Sequence, residues 1–250
     1  MSADVRRALT SIIVPVFHEA ELIRDFLSQL RRRAPDAEII VVDGGSTDAT
    51  RELAQGLCDQ LLVTERSRAL QMNAGACAAS GETFWFLHAD VAVPGRCLEE
   101  IAGALLDPRT VGGFFRIRLP SNRLVYRLTD SFAHYAGKVL RMSCGDHGFF
   151  CRREVFEKIG GFPVLELMED VHFFRALQRV GRVRSLDSRL ILSARRYQEI
   201  GPTKLTMAYG FIATLYVLGF PSHVLAEIYR RTCTIKRKPS RTIEVNGIIR

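Results

Sequence analysis

The chain has 250 residues, a net charge of +8, 47% hydrophobic and 25% charged residues. That length suits one large α/β domain or a domain with a small appendage, and the ordinary apolar balance excludes a disordered polymer. Excess cations favour phosphates, nucleic acid or an anionic membrane surface, although Arg230, Arg231, Lys236, Arg237, Lys238, Arg241 and Arg250 crowd one end as a candidate solvated tail.

Strand and helix signals alternate along the first two-thirds. Residues 11–16 read as a buried strand. Leu22, Ile23, Phe26, Leu27 and Leu30 then predict a helix over 19–33, ended by Pro35. Residues 39–42 form the next strand. Ser46 or Thr47 is expected to cap a helix running to Leu57, with Asp48 in its first turn. A short strand over 60–64, a helix over 66–80 stopped at Gly81, a strand over 83–87 and a helix from Pro94 to Leu106 follow. This βαβαβαβ order implies a mostly parallel, doubly wound sheet.

The later elements are a strand over 111–119, an amphipathic helix or helix pair over 122–141 and a short strand over 148–151. Helices over 153–159 and 169–180 flank the turn Gly160-Gly161-Phe162-Pro163, and a last strand covers 189–194. With no repeat or low-complexity linker, the expected division is a catalytic unit over 1–196 and a helical, basic appendage over 197–250. Six cysteines at 58, 77, 97, 144, 151 and 233 match no zinc spacing, and residues 1–10 carry no apolar signal core. Both point to reduced thiols in the cytoplasm.

Residues 205–226 contain no Asp, Glu, Lys or Arg over 22 positions. Length alone would permit a membrane span. Thr206, Tyr209, Gly210, Thr214, Tyr216, Gly219, Pro221, Ser222 and His223 dilute the segment, and Gly219-Phe220-Pro221 divides it. It is expected to form packed or self-associating helices. The alternative is an interfacial helix holding the chain peripherally on the inner face of an anionic membrane.

Three apolar strands run into polar residues: residues 11–16 before Glu19, 39–42 before Asp43-Gly44-Gly45-Ser46, and 83–87 before His88-Ala89-Asp90. Open α/β sheets bind ligands beyond the carboxyl ends of their strands. Carboxylates delivered there suit a nucleotide diphosphate held with a divalent cation. Asp90 is the principal metal candidate, because Mg²⁺ or Mn²⁺ takes one or two carboxylates beside phosphate oxygens and water. His88, two residues earlier in an extended segment, shares its side and can contact ribose or metal.

Asp43 can accept hydrogen bonds from a base or ribose, or simply cap the next helix. Glu19 is either a nucleoside contact or a first-turn acid. Glu169 and Asp170 open a helix, where acids suit the dipole; a general base is the functional alternative. Arg68, Asn73, Arg195 and Arg196 are candidates for phosphate or nucleotide contact. Asp146-His147, between Gly145 and Gly148, suggests an acceptor contact. No GxGxxG or P-loop pattern is present, and no RNA-binding aromatic signature accompanies the basic tail, which disfavours nucleic acid.

Together these segments resemble family-2 glycosyltransferases with the A-type nucleotide-sugar fold. The resemblance rests on residues 13–19, on 41–48, on Arg68 with Gln71-Met72-Asn73-Ala74-Gly75, on Phe86-Leu87-His88-Ala89-Asp90, on Gly160-Gly161-Phe162 and on Glu169-Asp170. The His-Ala-Asp form is similar to a compact bacterial subgroup linked to arsenosugar biosynthesis.

The resemblance implies a nucleotide-sugar donor, usually UDP-linked, with Pro15, Val16, Glu19, Asp43, Gly44 and Ser46 around the nucleoside. Asp90 would be the metal-binding member of a DXD motif for Mn²⁺ or Mg²⁺, with Ala89 between it and His88. Asp170 would be the base of an inverting transfer to a small-molecule or lipid-linked acceptor. This sequence departs from the pattern at His88, which replaces the first acid of DXD. A sugar-1-phosphate nucleotidyltransferase usually has a glycine-rich loop after its first strand, where this chain has Phe17-His18-Glu19-Ala20. A non-catalytic nucleotide-sugar binder would have little need of Asp43, Asp90 and Asp170 together.

Overall fold

The computed structural model describes residues 9–119, 145–193 and 195–233. Its elements run β1 (Thr10–Val16), α1 (Ile23–Arg33), β2 (Glu38–Asp43), α2 (Thr50–Ala54), β3 (Gln60–Val63), α3 (Arg68–Ala78), β4 (Thr83–Phe86), β5 (Val91–Ala92), α4 (Cys97–Leu105) and β6 (Thr110–Arg118). A 3-10 turn (Gly145–His147), β7 (Phe150–Arg152), α5 (Arg153–Ile159), α6 (Glu169–Val180), β8 (Arg182–Leu192), α7 (Arg195–Ile200), α8 (Pro202–Val217) and α9 (Ser222–Cys233) follow.

The strands form one sheet in the order β3-β2-β1-β4-β7-β6-β8-β5. β1, β2, β3 and β4 pair in parallel, as do β6 and β8. β7 lies antiparallel between β4 and β6, and β5 is antiparallel to β8. Two reversals leave β6 and β8 running with β4, so six strands share one direction. The expected mostly parallel α/β sheet is present, with short antiparallel β7 inserted in it and short antiparallel β5 at one edge.

Alternation along the strands explains its two apolar layers. Ile12, Val14, Ile39, Val41 and Trp85 face a core covered by α1 and α4. Ile13, Ile40, Val42, Phe84 and Phe86 face a second core under α3, α5 and α6. Both faces being buried is why β1 and β2 read as continuous apolar runs. Phe86 meets Phe162 edge-on at 4.8 Å, and Phe162 stacks on Phe173 of α6 at 3.9 Å. That aromatic packing fixes α6 beneath its acidic first turn. A third cluster joins Tyr197, Leu205, Ile212 and Leu225 of the C-terminal helices to Leu119 and Leu192, with Leu167 and Met168 packed against it.

Several local expectations are corrected. The helix expected from residue 19 starts at Ile23, because the Glu19 N–H donates to the Thr50 hydroxyl (2.8 Å) and ties that stretch to the neighbouring loop. Neither Ser46 nor Thr47 caps α2, whose N-cap is Ala49, and Gly56 (φ +78°) turns the chain before Leu57. The helix after Pro94 starts at Cys97. β8 starts seven residues before the expected 189, since its exposed, charged first half lacks an apolar signal. The helix expected over 122–141 lies outside the described residues. Gly219 (φ +86°) separates α8 from α9 at the anticipated break.

Candidate functional site

The shared strand direction places the ends of β2, β4 and β8 on one edge of the sheet. Asp43 ends β2, His88-Ala89-Asp90 follow β4, and Arg195-Arg196 follow β8. Antiparallel β7 begins at that edge, so Asp146 and His147 arrive there too.

The β1–β2 end is held by internal hydrogen bonds. Asp43 is fully buried and accepts from the Gly45 N–H (3.0 Å), the Ser46 N–H (2.7 Å) and the Ser46 hydroxyl. The Ser46 Oγ in turn accepts from the His18 N–H at 2.9 Å. Pro15 and Val16 lie in register with Val42 and Asp43. Buried Gln71, not anticipated as a site residue, donates from Nε2 to the carbonyls of Val16 and Val42, both at 2.8 Å. It joins the two strand ends, and a Cβ at Gly44 would stand 3.2 Å from its amide. Asn73 exchanges two bonds with the Phe162 backbone, at 2.8 and 2.9 Å. Its amide therefore clasps the Gly160-Gly161-Phe162 turn.

Among the described residues, only His18 (φ 55°) and Met168 (φ 68°) are non-glycines in the left-handed region. They immediately precede Glu19 and Glu169. Such conformations cost about 1–3 kcal/mol and gather at functional sites. Half-buried Glu19 and the buried Glu169-Asp170 pair thus each follow a residue in this conformation. The Asp170 Oδ1 accepts from the Val171 N–H at 2.7 Å.

The β4–β8 end is a cluster of charges. His88 Nε2 lies 3.9 Å from the Asp146 Oδ1, with side-chain exposures of 13% and 45%. Burial and the Arg68 cation pull the His88 imidazole below its ordinary range, against the pull of Asp146 and Asp90. Burial works to raise the Asp146 carboxyl, but His88, Arg68, Arg196 and His147 outweigh it and hold it below the usual range. Arg196 Nη1 donates to the Tyr229 hydroxyl of α9 at 2.7 Å. Although burial opposes its charge, Tyr229, Tyr209, Asp146 and Asp90 hold Arg196 as a firm cation. Arg68 is likewise held against burial, by Tyr229, Glu169 and Asp146.

These mutual influences bring Arg68, His88, Asp90, Asp146, Glu169 and Arg196 into one electrostatic neighbourhood, with Tyr209 and Tyr229 beside it. Arg195 turns away to Glu21 (3.3 Å) and Glu199 (3.4 Å). His147 is buried, with Nδ1 3.0 Å from the Phe115 carbonyl and its ring edge-on to Phe114. Gly148 has a packing reason: at φ +59° an added Cβ would meet Leu190 at 2.7 Å. Tyr209 escaped notice because it read only as a polar diluent of the apolar stretch 205–226, and Tyr229 lies beyond that stretch.

Among the described residues no three His, Cys, Asp or Glu side chains group as a metal site. Half-exposed Asp90, with His88 beside it, nevertheless fits a cation that draws its remaining ligands from phosphate and water. A fully protein-made cage is not needed for that chemistry.

The family model for Glycosyl transferase family 2 matches residues 11–160. Glycosyltransferase AglE of Haloferax volcanii is 29% identical over 170 residues, covering 61% of this chain and 55% of that protein. The chain thus spans about half the length of that curated relative. Among solved structures, mannosyltransferase PcManGT from Pyrobaculum calidifontis, in complex with GDP-Man and Mn²⁺, superposes with a TM-score of 0.62 at 21% identity. The match covers 89% of this chain and 70% of that one. Glucosyl-3-phosphoglycerate synthase from Mycobacterium tuberculosis, in complex with Mn²⁺, UDP and glucosyl-3-phosphoglycerate, gives 0.55 at 17% identity, covering 80% and 78%. These two likenesses show the fold.

Proposed function

The chain belongs to glycosyl transferase family 2, and from that premise we propose that it moves one sugar from a nucleotide-sugar donor to a hydroxyl acceptor with inversion at the anomeric carbon. The observation that carries the reading is the gathering of two cations, Arg68 and Arg196, in the electrostatic neighbourhood of half-exposed Asp90 and Asp146 at the carboxyl edge of the sheet. Arg68 opens the 11-residue helix α3, whose N-terminus already attracts anions. A guanidinium there adds a cation to that preference. Arg196, held by Tyr229, would grip it from the opposite strand end.

Glu19 and the frame built by Asp43, Ser46 and Gln71 would shape the nucleoside subsite. Asp90, with His88, would hold Mn²⁺ or Mg²⁺ against the diphosphate. When bound, that ion supplies positive charge to the leaving diphosphate oxygen. Asp170 would take the proton of the acceptor hydroxyl as its oxygen bonds to the anomeric carbon and the bond from that carbon to the diphosphate breaks. Half-exposed Asp146, beside His88, is the candidate acceptor contact. The metal-bearing complexes of the structural neighbours support the reading by likeness of fold.

Thermal-shift screening against UDP- and GDP-sugars with Mn²⁺ tests it, because a ligand that binds the folded state raises apparent stability. A shift with one nucleotide sugar, followed by acceptor-dependent release of the nucleoside diphosphate, is the expected result. No shift across the panel contradicts the reading.

A further inference from the structure

Helix α8 has two sharply different faces. Leu205 and Ile212 are buried, and Tyr209 and Tyr216 turn toward Arg196 and Arg175. The opposite face exposes Lys204, Met207, Phe211, Thr214 and Leu218. Their spacing of three, four, three and four is one continuous helical stripe. Val217 and Phe220 extend it around the turn into α9.

Five of the eleven exposed large apolar side chains among the described residues fall between 207 and 220. Met207 and Leu218 are each 69% exposed, and Phe211 is 56% exposed. Scattered exposed apolar residues are normal, but a concentrated patch marks a contact surface. No helix among the described residues is long and apolar enough to cross a membrane, so the stripe suits lying on a surface.

We propose that the outer face of α8 docks on an anionic lipid bilayer, with Met207, Phe211, Leu218 and Phe220 entering the headgroup boundary and Lys204 meeting lipid phosphates. Charge selects this occupant. Between residues 200 and 226 the sequence has no acidic residue, and beyond Cys233 it continues with Lys236, Arg237, Lys238 and Arg241. A second copy would present the same apolar stripe but also the same cations. Anionic headgroups accept both the apolar and the basic parts. The docking does not depend on which group the protein transfers.

Co-sedimentation of the full chain with vesicles of equal parts phosphatidylcholine and phosphatidylglycerol tests the proposal, with phosphatidylcholine vesicles as the comparison. The wild type is expected to bind the mixed vesicles about tenfold more strongly, and less so in high salt. The double variant Met207→Glu, Phe211→Glu alters only exposed positions and should keep the circular-dichroism spectrum and melting temperature. Its vesicle binding should fall by about tenfold or more. Binding unchanged in a folded variant overturns the proposal. So does a wild-type dimer that fails to bind vesicles and becomes monomeric in that variant, because the stripe would then be a contact between copies.

Discussion

The two ends of the sheet edge look alike in sequence and differ in structure. Asp43 and Asp90 each stand just beyond an apolar strand. Asp43 is fully buried and held by the chain's own N–H and hydroxyl donors. Asp90 is half-exposed among His88, Asp146 and Arg196. Strand-end position brings a carboxylate to the site, but the following residues decide its use. Gly44-Gly45-Ser46 fold back on Asp43 and convert it into a loop anchor. Ala89-Asp90 leads into β5, whose short pairing with β8 leaves the acid half-exposed at the sheet edge.

Asp170→Asn should lower transfer by about 10²–10⁴-fold if this carboxylate is the general base, while nucleotide binding measured by calorimetry stays near wild type. A variant with full turnover would remove Asp170 from the chemistry. At the anchored end, Asp43→Ala leaves the Gly45 and Ser46 N–H groups, the second of them buried, without their acceptor. It should cost about 3 kcal/mol of stability in denaturant unfolding. A loss of nucleotide binding at unchanged stability would instead assign Asp43 to the ligand.

Tyr229→Phe sharpens the charged end. Removing the hydroxyl takes one hydrogen bond from Arg196, and a hydrogen bond to a charged group contributes about 1.5–3 kcal/mol. The donor KM should rise about tenfold or more, with a smaller change in kcat. An unchanged KM would separate α9 from donor binding.

The smallest expected effect concerns pH. Burial works to raise the Asp48 carboxyl, but bonds from Thr50 and Ala20 outweigh it and hold it below the ordinary 3.8. The unfolded chain therefore takes up this proton first. Asp48 stabilises the folded state fully above 3.8, and that contribution disappears as pH falls through the lower folded value. Asp48→Asn should flatten the acid limb of unfolding. An identical limb would show that the loop is held without this charge.

The strands of the parallel half were legible because both their faces are buried, as Ile12 and Ile13 show on opposite sides of β1. α5 and α6 were legible to the residue, since Gly160 and Gly181 bound their ends. β8 was read short because Arg182, Arg184, Asp187 and Arg189 hide its period. At the site, the sequence marked Arg195 and Arg196 equally; folding sends one to surface acids and the other inward. Asn73 resembled a ligand contact, yet both ends of its amide bond to Phe162, 89 residues away. Such pairings depend on tertiary contacts that local spacing does not encode. Tyr209 and Tyr216 were obscured because they stood in the apolar stretch 205–226 only as residues that dilute it, and Tyr229 lies beyond that stretch.

Calorimetric titration of the nucleoside diphosphate into wild type and Asp90→Ala, with and without Mn²⁺, tests the central claim most directly. The account predicts that Mn²⁺ tightens binding to the wild type and has no such effect on Asp90→Ala. Equal tightening in both proteins would contradict it and move the cation, with the diphosphate it bridges, away from this strand end.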